Sequence, residues 1–376
     1  MKRLLCSICN SNLKNIYKLD NAPIKLSCLD VPERDTDTLS FAQCEECNTI
    51  QLDNLISLST LYSNSHNYTS VGSIWEKYFL LFIENIENLV NDKIVLEIGC
   101  PSGKIATKLK NYKKWYIVEP NKNPNINFNE KITFINKYFD NDFMLEDNDG
   151  LGVDVIVHSH VFEHIYEPNN FLSKCYNLLN DDGEMFFGVP NMQSFIDTNI
   201  CPFVGVFFEH TIFLNKENIT HVLKRNNFDI VNTIDYENHS MLYHCKKIPI
   251  QSSIPANPFT IKNYYDSFFS TLDYYKTFIK TCNDTIELTN KDVYIFSASY
   301  NTQILLTMGL FSEKIKGILD NSKDKQGKYL YGYNLQIFNP SITANNNCII
   351  ILKNGYYVNE VCIQLKNINQ HLEIIT

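Results

Sequence analysis

"VLEIGCPSGK", residues 95 to 104, is the stretch whose reading decides the fold. Apolar residues with one acid among them run into a loop bearing two glycines, the pattern of a strand that delivers a ligand-holding turn. A P-loop needs G-x-x-x-x-G-K-[ST], with the hydroxyl on magnesium. Here Gly99 and Gly103 stand one residue too close, and Ile105 occupies the hydroxyl's place. A dinucleotide fingerprint needs G-x-G-x-x-G, so that glycines and a helix N-terminus can receive the pyrophosphate. Cys100-Pro101-Ser102 puts proline at the middle glycine. S-Adenosylmethionine carries no phosphate and asks less. Gly99 and Gly103 let the backbone approach its amino-acid part, and Glu97 supplies charge for the ammonium. Glu119, twenty residues after Gly99, ends the next strand where both ribose hydroxyls could be accepted. An acid at that distance also suits NAD, so it identifies an adenosine ribose without choosing the cofactor. The remaining alternative is an ordinary strand-turn-helix with an accidental acid. The loop as a whole favours S-adenosylmethionine.

Working outward, strand and helix patterns alternate. "KIVLEIG" reads as a strand, "GKIATKLKNY" as a helix, and "WYIVEP", "ITFINKYF" and "VDVIVHSHVFEH" as further strands. "PNNFLSKCYNLLND" is helical and "GEMFFGVP" is a fifth strand. Such alternation with short connections predicts a Rossmann-like α/β core, a parallel sheet with helices on both faces. Before it, "WEKYFLLFIENIENLV" (75–90) has helical apolar spacing. After it, "IPIQSSIPANPF" (248–259) carries three prolines and reads as a linker. A long helix from about Thr260 to Cys282 follows, then strands in "DVYIFSASY", "KIKGILDN", "CIIILKN" and "HLEIIT". The expected division is 1–70, 71–247 and 248–376, with a second, smaller α/β unit at the end.

With 376 residues, 44% of them hydrophobic and 20% charged, each unit can bury a core. A net charge of -9 argues against nucleic acid or an anionic membrane as main partner. No run of about eighteen apolar residues is present, and "MKRLLCSICN" lacks the features of a signal peptide. Twelve cysteines in such a chain point to reduced thiols or metal ligands, and to the cytoplasm.

Four of those cysteines form two Cys-x-x-Cys pairs, Cys6/Cys9 and Cys44/Cys47, the donor set of a tetrahedral structural zinc. The 34-residue gap between the pairs is wider than a compact zinc ribbon. The alternative is four reduced cysteines, two of them in a small core. Cys28, between the pairs, is a bystander. "HSHVFEHIYEP" holds His158, His160, His164 and Glu163. Strand alternation points His158 and His160 to one face and leaves His164 on a turn, so the three histidines do not read as a metal site. His160 is expected over the cofactor, with Glu163 and His164 fixing the turn. In "FFEHTIF", His210 is a candidate general base and Glu209 its charge partner, with Phe207, Phe208 and Phe213 excluding water.

Together the cysteine quartet, "LEIGCPSG" with "VEPN", "VFEHIYEP", "FEHTIFLNKENI" and "ILDNSKDKQGKYLYG" resemble, over nearly the whole chain, the three-domain S-adenosylmethionine-dependent C-methyltransferases of nucleotide-linked deoxysugars. The resemblance implies an N-terminal zinc domain, a class I methyltransferase core, a C-terminal α/β domain, and a hexose on a nucleotide diphosphate as acceptor. It implies carbon methylation through an enolate, with His210 as the base. It also makes Tyr68, Ser70 and Ser73 candidate sugar contacts, since the family has a tyrosine- and serine-rich stretch there. Asp320, Lys325 and Tyr329, near strand ends, are candidate nucleotide contacts. This chain departs from the pattern at Phe207 and Phe208 before the Glu-His pair, and at Phe213 and Asn215 after it, where the family has tyrosine and serine. Those changes keep O-methylation of a small acceptor open. From another class, a catalytically silent binding scaffold is the alternative, against which the intact Glu97, Gly99, Gly103 and Glu119 stand. The oligomeric state is not legible.

Overall fold

Four strands open the chain: β1 (Leu13–Pro23), β2 (Cys28–Leu29), β3 (Thr36–Cys44) and β4 (Ile50–Leu52). Three of them form an antiparallel sheet in the order β1-β3-β4. This computed structural model describes residues 1–61, 73–121, 128–140, 142–145, 152–199, 202–250, 262–353 and 355–376. The 248–259 linker therefore lies largely outside the described residues, as do Tyr68 and Ser70.

After a short helix, α1 (Leu58–Leu61), comes α2 (Ser73–Ile86), which buries Tyr78, Phe82 and Ile86 at four-residue spacing. That spacing puts all three on one face against the sheet. The core strands are β5 (Ile94–Ile98), β6 (Lys114–Val118), β7 (Ile132–Ile135), β8 (Val153–Ser159), β9 (Leu179–Pro190), β10 (Phe228–Tyr236) and β11 (Ser240–Lys247). Their order is β10-β11-β9-β8-β5-β6-β7. Five strands run parallel, and β11 lies antiparallel between β9 and β10. Helices α3 (Pro168–Leu178), α4 (Met192–Asp197) and α5 (Lys216–Arg225) belong to this unit. Val95, Leu96, Glu97 and Ile98 are all buried, as a strand covered on both faces requires. The strand order reverses between β5 and β8, and ligands of open α/β sheets bind outside the carboxyl ends at such a point.

The C-terminal unit has the long helix α6 (Tyr265–Leu288), then β12 (Asp292–Phe296), α7 (Tyr300–Thr307), β13 (Ile315–Leu319), β14 (Tyr329–Leu330), β15 (Ile337–Phe338), β16 (Cys348–Leu352), α8 (Val358–Ile368) and β17 (Glu373–Ile375). Its sheet, β15-β13-β12-β16-β17, is wholly parallel and reverses order at β12/β16.

The first sheet is not a free-standing knob. Phe41, Ile50 and Leu52 share one apolar core with Leu96, Ile156 and Phe187 of the seven-stranded sheet and with Phe213 just before α5. Strand β2 pairs with β14, so the N-terminal segment also reaches the last unit. Two sequence expectations are corrected. "GKIATKLKNY" forms turns rather than a helix: after one helical bond, Thr107 N–H to Gly103 O at 3.0 Å, the ladder tightens, with Lys108 N–H bonding Ile105 O at 3.0 Å. The long helix begins at Tyr265 and runs six residues past Cys282. Among the described residues, no helix is long and apolar enough to cross a membrane.

Candidate active site

Two glycines shape the floor of the site. Gly99 (φ 77°) and Gly103 (φ 56°) adopt left-handed backbone, which side chains other than glycine disfavour. A Cβ on Gly99 would lie 2.5 Å from Val161 Cγ2, and one on Gly103 would lie 2.4 Å from Phe128 Cε1. The absent side chains let the loop pack tightly: Gly99 lines the cavity beside Val161, whereas Gly103 lies outside the lining and closes the same loop against Phe128. Glu119 ends β6 at the cavity wall; one carboxylate oxygen accepts the Asn121 N–H at 2.8 Å. Burial holds its carboxyl above the usual range. Asp140, on the segment after β7, joins the same wall and was not singled out from the sequence, since nothing but its place after a strand marks it.

Glu97 is placed differently from the expectation. It does not line the cavity; it is 1% exposed beneath the loop, and its Oε2 accepts the Trp115 indole N–H at 2.8 Å. Burial pushes its carboxyl up to about 7, against the pull of Cys100 and Trp115. Its role is to brace the loop against β6, so direct pairing with the ammonium is not its geometry.

His160 and His158 also depart from simple alternation. His160 lies one residue past β8 with φ 53°, which swings its ring out of the strand's register. His158 is fully buried and stacks on Phe187 at 4.7 Å, and loss of hydration pushes it down to about 3. His160 lines the cavity as expected, its Nδ1 3.1 Å from Glu163 Oε1 and its Nε2 3.1 Å from Ser240 Oγ. Trp75 packs edge-on against its ring at 4.8 Å.

Glu163 is the hub of the acceptor side. It is buried, and although burial alone would raise its carboxyl, His160, His164 and His210 together hold it down to about 2. The donor atoms of Glu163, His164 and His210 all lie within 4.8 Å of one another. His164 and His210 meet edge to face, with ring centroids 4.5 Å apart. The Glu-His pair sits on a tight turn closed by Phe207 N–H to His210 O and His210 N–H to Phe207 O, at 3.0 and 2.9 Å. Glu209, at the tip, lines the cavity and accepts the Leu26 N–H at 3.3 Å. His210 itself stands behind His164, which lines the cavity where His210 does not. Loss of hydration and the neighbouring His164 push its imidazole down to about 3. Phe208 and Phe213 are buried, and Phe207 stacks on Tyr300 at 3.9 Å.

The opposite wall comes from the last unit. Ser297, Ser299, Asp320, Asn321, Ser322, Lys325 and Gln364 line the same cavity, beyond the carboxyl ends of β12 and β13 and along α8. Asp320 accepts from Ala298 N–H at 3.0 Å and from Lys325 Nζ at 3.2 Å. Tyr329 is not part of this wall, because β14 is spent on pairing with β2. Ser73 is exposed at the start of α2 and does not line the cavity either. The whole space is about 1060 Å³. That is at the upper end of the range for small-molecule pockets, about 300–1,000 Å³.

Cys6, Cys9, Cys44 and Cys47 converge on one point, with Cys6 and Cys47 sulfurs 3.6 Å apart and Cys9 and Cys44 sulfurs 3.4 Å apart. A zinc tetrahedron with arms of about 2.3 Å has edges of about 3.8 Å. The four sulfurs therefore fit that ion, and all four are free of disulfides. Gln51 Nε2 donates to Cys6 Sγ at 3.1 Å, a further support for a thiolate there.

Residues 74–233 match the family model described as "Methyltransferase domain", and residues 256–371 match "C-methyltransferase C-terminal domain". A "Probable S-adenosylmethionine-dependent methyltransferase" of Mycolicibacterium smegmatis is 32% identical over 85 residues. The chain thus contains a methyltransferase domain followed by a C-methyltransferase C-terminal domain. The mycobacterial match covers 22% of this chain and 31% of that relative, so the chain spans about a third of the relative's length. Among solved structures, the chain is similar to the N-methyltransferase NodS of Bradyrhizobium japonicum in complex with S-adenosylhomocysteine. That match has 12% identity and a TM-score of 0.36, covering 49% of this chain and 92% of that one. An S-adenosylmethionine-dependent methyltransferase of Clostridium acetobutylicum is similar at 14% identity and a TM-score of 0.34, covering 48% and 94%.

Proposed function

We propose that the protein methylates a carbon atom of a nucleotide-linked keto sugar, with S-adenosylmethionine as donor. The observation that supports this most is a shared cavity, which has Gly99 of the glycine loop and Glu119 on one side and the strand ends of the C-terminal unit on the other. S-Adenosylmethionine, when bound, supplies an electrophilic sulfonium methyl group and leaves as S-adenosylhomocysteine. The chain's own residues do the rest. Gly99 and Glu119 hold the donor in place, and His160, fixed by Glu163 and Ser240, covers it. A keto group acidifies the carbon beside it. His210, acting through the His164 face of the cluster, takes that proton and leaves an enolate aligned with the methyl group. Burial keeps the His210 imidazole neutral, the form that accepts a proton, but the lowered pKa also weakens it as a base, so substrate binding must raise it for efficient transfer. Alignment of the reacting atoms is the larger contribution, and stabilisation of the enolate oxygen follows it. The cysteine quartet would hold one structural zinc ion.

The second reading, O-methylation, is favoured by Phe213, which offers no phenol where the resembled family has tyrosine. Incubation with thymidine diphosphate-4-keto-6-deoxyglucose and methyl-labelled donor, followed by NMR of the product, separates the two. A new carbon–carbon bond is expected. A methyl group on oxygen sinks the enolate route and leaves the domain assignment standing.

A further inference from the structure

We propose that Arg3, some 160 to 200 residues distant in sequence, is a positioning residue for the His164–His210 pair. Its guanidinium is 6% exposed and serves three separate chain segments. Nη1 donates to the Leu52 carbonyl at 3.0 Å and to the Thr211 carbonyl at 3.3 Å; Nη2 donates to the Tyr166 carbonyl at 2.8 Å and to the Thr211 hydroxyl at 3.2 Å. Tyr166 lies two residues beyond His164, and Thr211 lies one beyond His210. One planar fork thus ties together the two turns that carry the facing imidazoles, and anchors both to the end of β4.

The chemistry of the contact argues for position rather than charge. All four acceptors are neutral oxygens, and among the described residues Arg3 makes no ion pair; Glu167 and Asp53 act on it only from farther away. A buried charge without a directly paired carboxylate is an expensive way to add stability. What a guanidinium uniquely supplies is several donors in a fixed plane, which a lysine ammonium cannot reproduce. Tyr166 reinforces the same joint, because its hydroxyl donates to the carbonyls of Ile56 and Phe208 at 2.9 and 3.2 Å. The glycine loop at Gly99 and Gly103 receives none of these bonds. Loss of the fork should therefore disturb the acceptor side and spare the donor side.

The inference rests on reading His164 and His210 as the proton-handling pair, but its test does not need turnover. In the full chain, Arg3→Lys should melt cooperatively and bind S-adenosylhomocysteine within about twofold of wild type by calorimetry. In histidine-labelled protein, the ring-to-ring nuclear Overhauser signal between His164 and His210 should vanish, and their pH titrations should change. Arg3→Ala should regain both signals when guanidinium ion is added. Turnover of the keto-sugar probe should fall about 10- to 100-fold, the cost of misplacing a reacting group by an ångström or so. Unchanged histidine signals in folded Arg3→Lys overturn the inference, and so does a parallel fall in cofactor affinity, which would mean general loosening. Should Arg3→Lys not fold, Thr211→Val removes one contact and no charge. It is read by the same two signals, and their persistence there overturns the inference as well. Probe turnover that yields an oxygen-linked methyl group bears on the proposed function alone.

Discussion

Glu163 is a carboxylate shared by three imidazoles, and its neighbourhood makes quantitative demands on pH. His158 and His210 are pushed down to about 3 and His239 to about 4, each mainly by burial, whereas an unfolded histidine titrates near 6.5. As pH falls below 6.5, the unfolded chain takes up protons that the folded chain refuses, so the stability these groups contribute is lost on the way down to about 3. Glu163, held near 2 against an ordinary 4.5, adds a loss of the same sign below 4.5. Glu97, raised to about 7, works the other way, since its contribution is complete below 4.5 and lost as pH rises through 7. Between pH 4.5 and 6.5, among the groups shifted farthest, three histidines oppose Glu97, while the lowered His221 and the raised Glu119 act in opposite senses. Stability should climb with pH by up to roughly 2.7 kcal/mol per unit, two net protons at about 1.4 kcal/mol each. Urea denaturation at pH 5, 6 and 7 measures it. A flat profile would mean that the histidines are hydrated. At the same scale, His210→Asn should keep its affinity for S-adenosylhomocysteine while methyl transfer slows about 10²–10⁴-fold, the usual contribution of a general base. An equal loss of cofactor affinity would assign His210 to packing.

At the scale of elements, the glycine loop gives the sharpest test. Gly99→Ala meets Val161 Cγ2 at 2.5 Å and must also hold φ 77°, for which an L side chain costs about 1–2 kcal/mol. Affinity for S-adenosylhomocysteine should fall at least about 10-fold. Adding Val161→Ala should return part of it by relieving the clash, but not the part due to the backbone angle. The loop was legible in advance because its strand, its turn and the acid ending β6 are all local. The same holds for the cysteine quartet, whose pairs are three residues apart. What was not legible had long-range causes. The segment after Gly103 has helical spacing, yet its ladder stops after the Thr107–Gly103 bond and tightens to a three-residue turn at Lys108. His160 was assigned to the correct wall by a faulty route, since period-two counting cannot foresee a left-handed residue at the end of β8. His164 lies on a turn after β8 as read, but that it also faces the cavity was not legible, because the turn that opposes it comes from 46 residues downstream. Leu26 reaches Glu209 only because β2 is drawn across to β14.

Across the whole molecule, the first sixty residues hold the other two units in register. Ile50 accepts from Phe213, Leu52 donates to the Thr211 carbonyl, and Asn218 donates to the Thr49 hydroxyl beside Cys47. A metal held by the quartet would therefore be mechanically coupled to the Glu209–Phe213 segment. Purified protein should contain about one zinc ion per chain. Cys44→Ser should lose it, and should lose activity on the keto-sugar probe more steeply than affinity for S-adenosylhomocysteine. A zinc-free preparation with normal turnover would sever that coupling. The same pairing carries a consequence for how the chain is made. Leu52 and Thr211 are separated by 159 residues, so at a ribosomal pace of about 5–20 residues per second the edge of β4 waits roughly 8–32 s for its partner. During that interval a nascent strand of three otherwise buried residues stands open to any neighbouring chain. Crowded synthesis is therefore a stage at which this edge is open to mispairing.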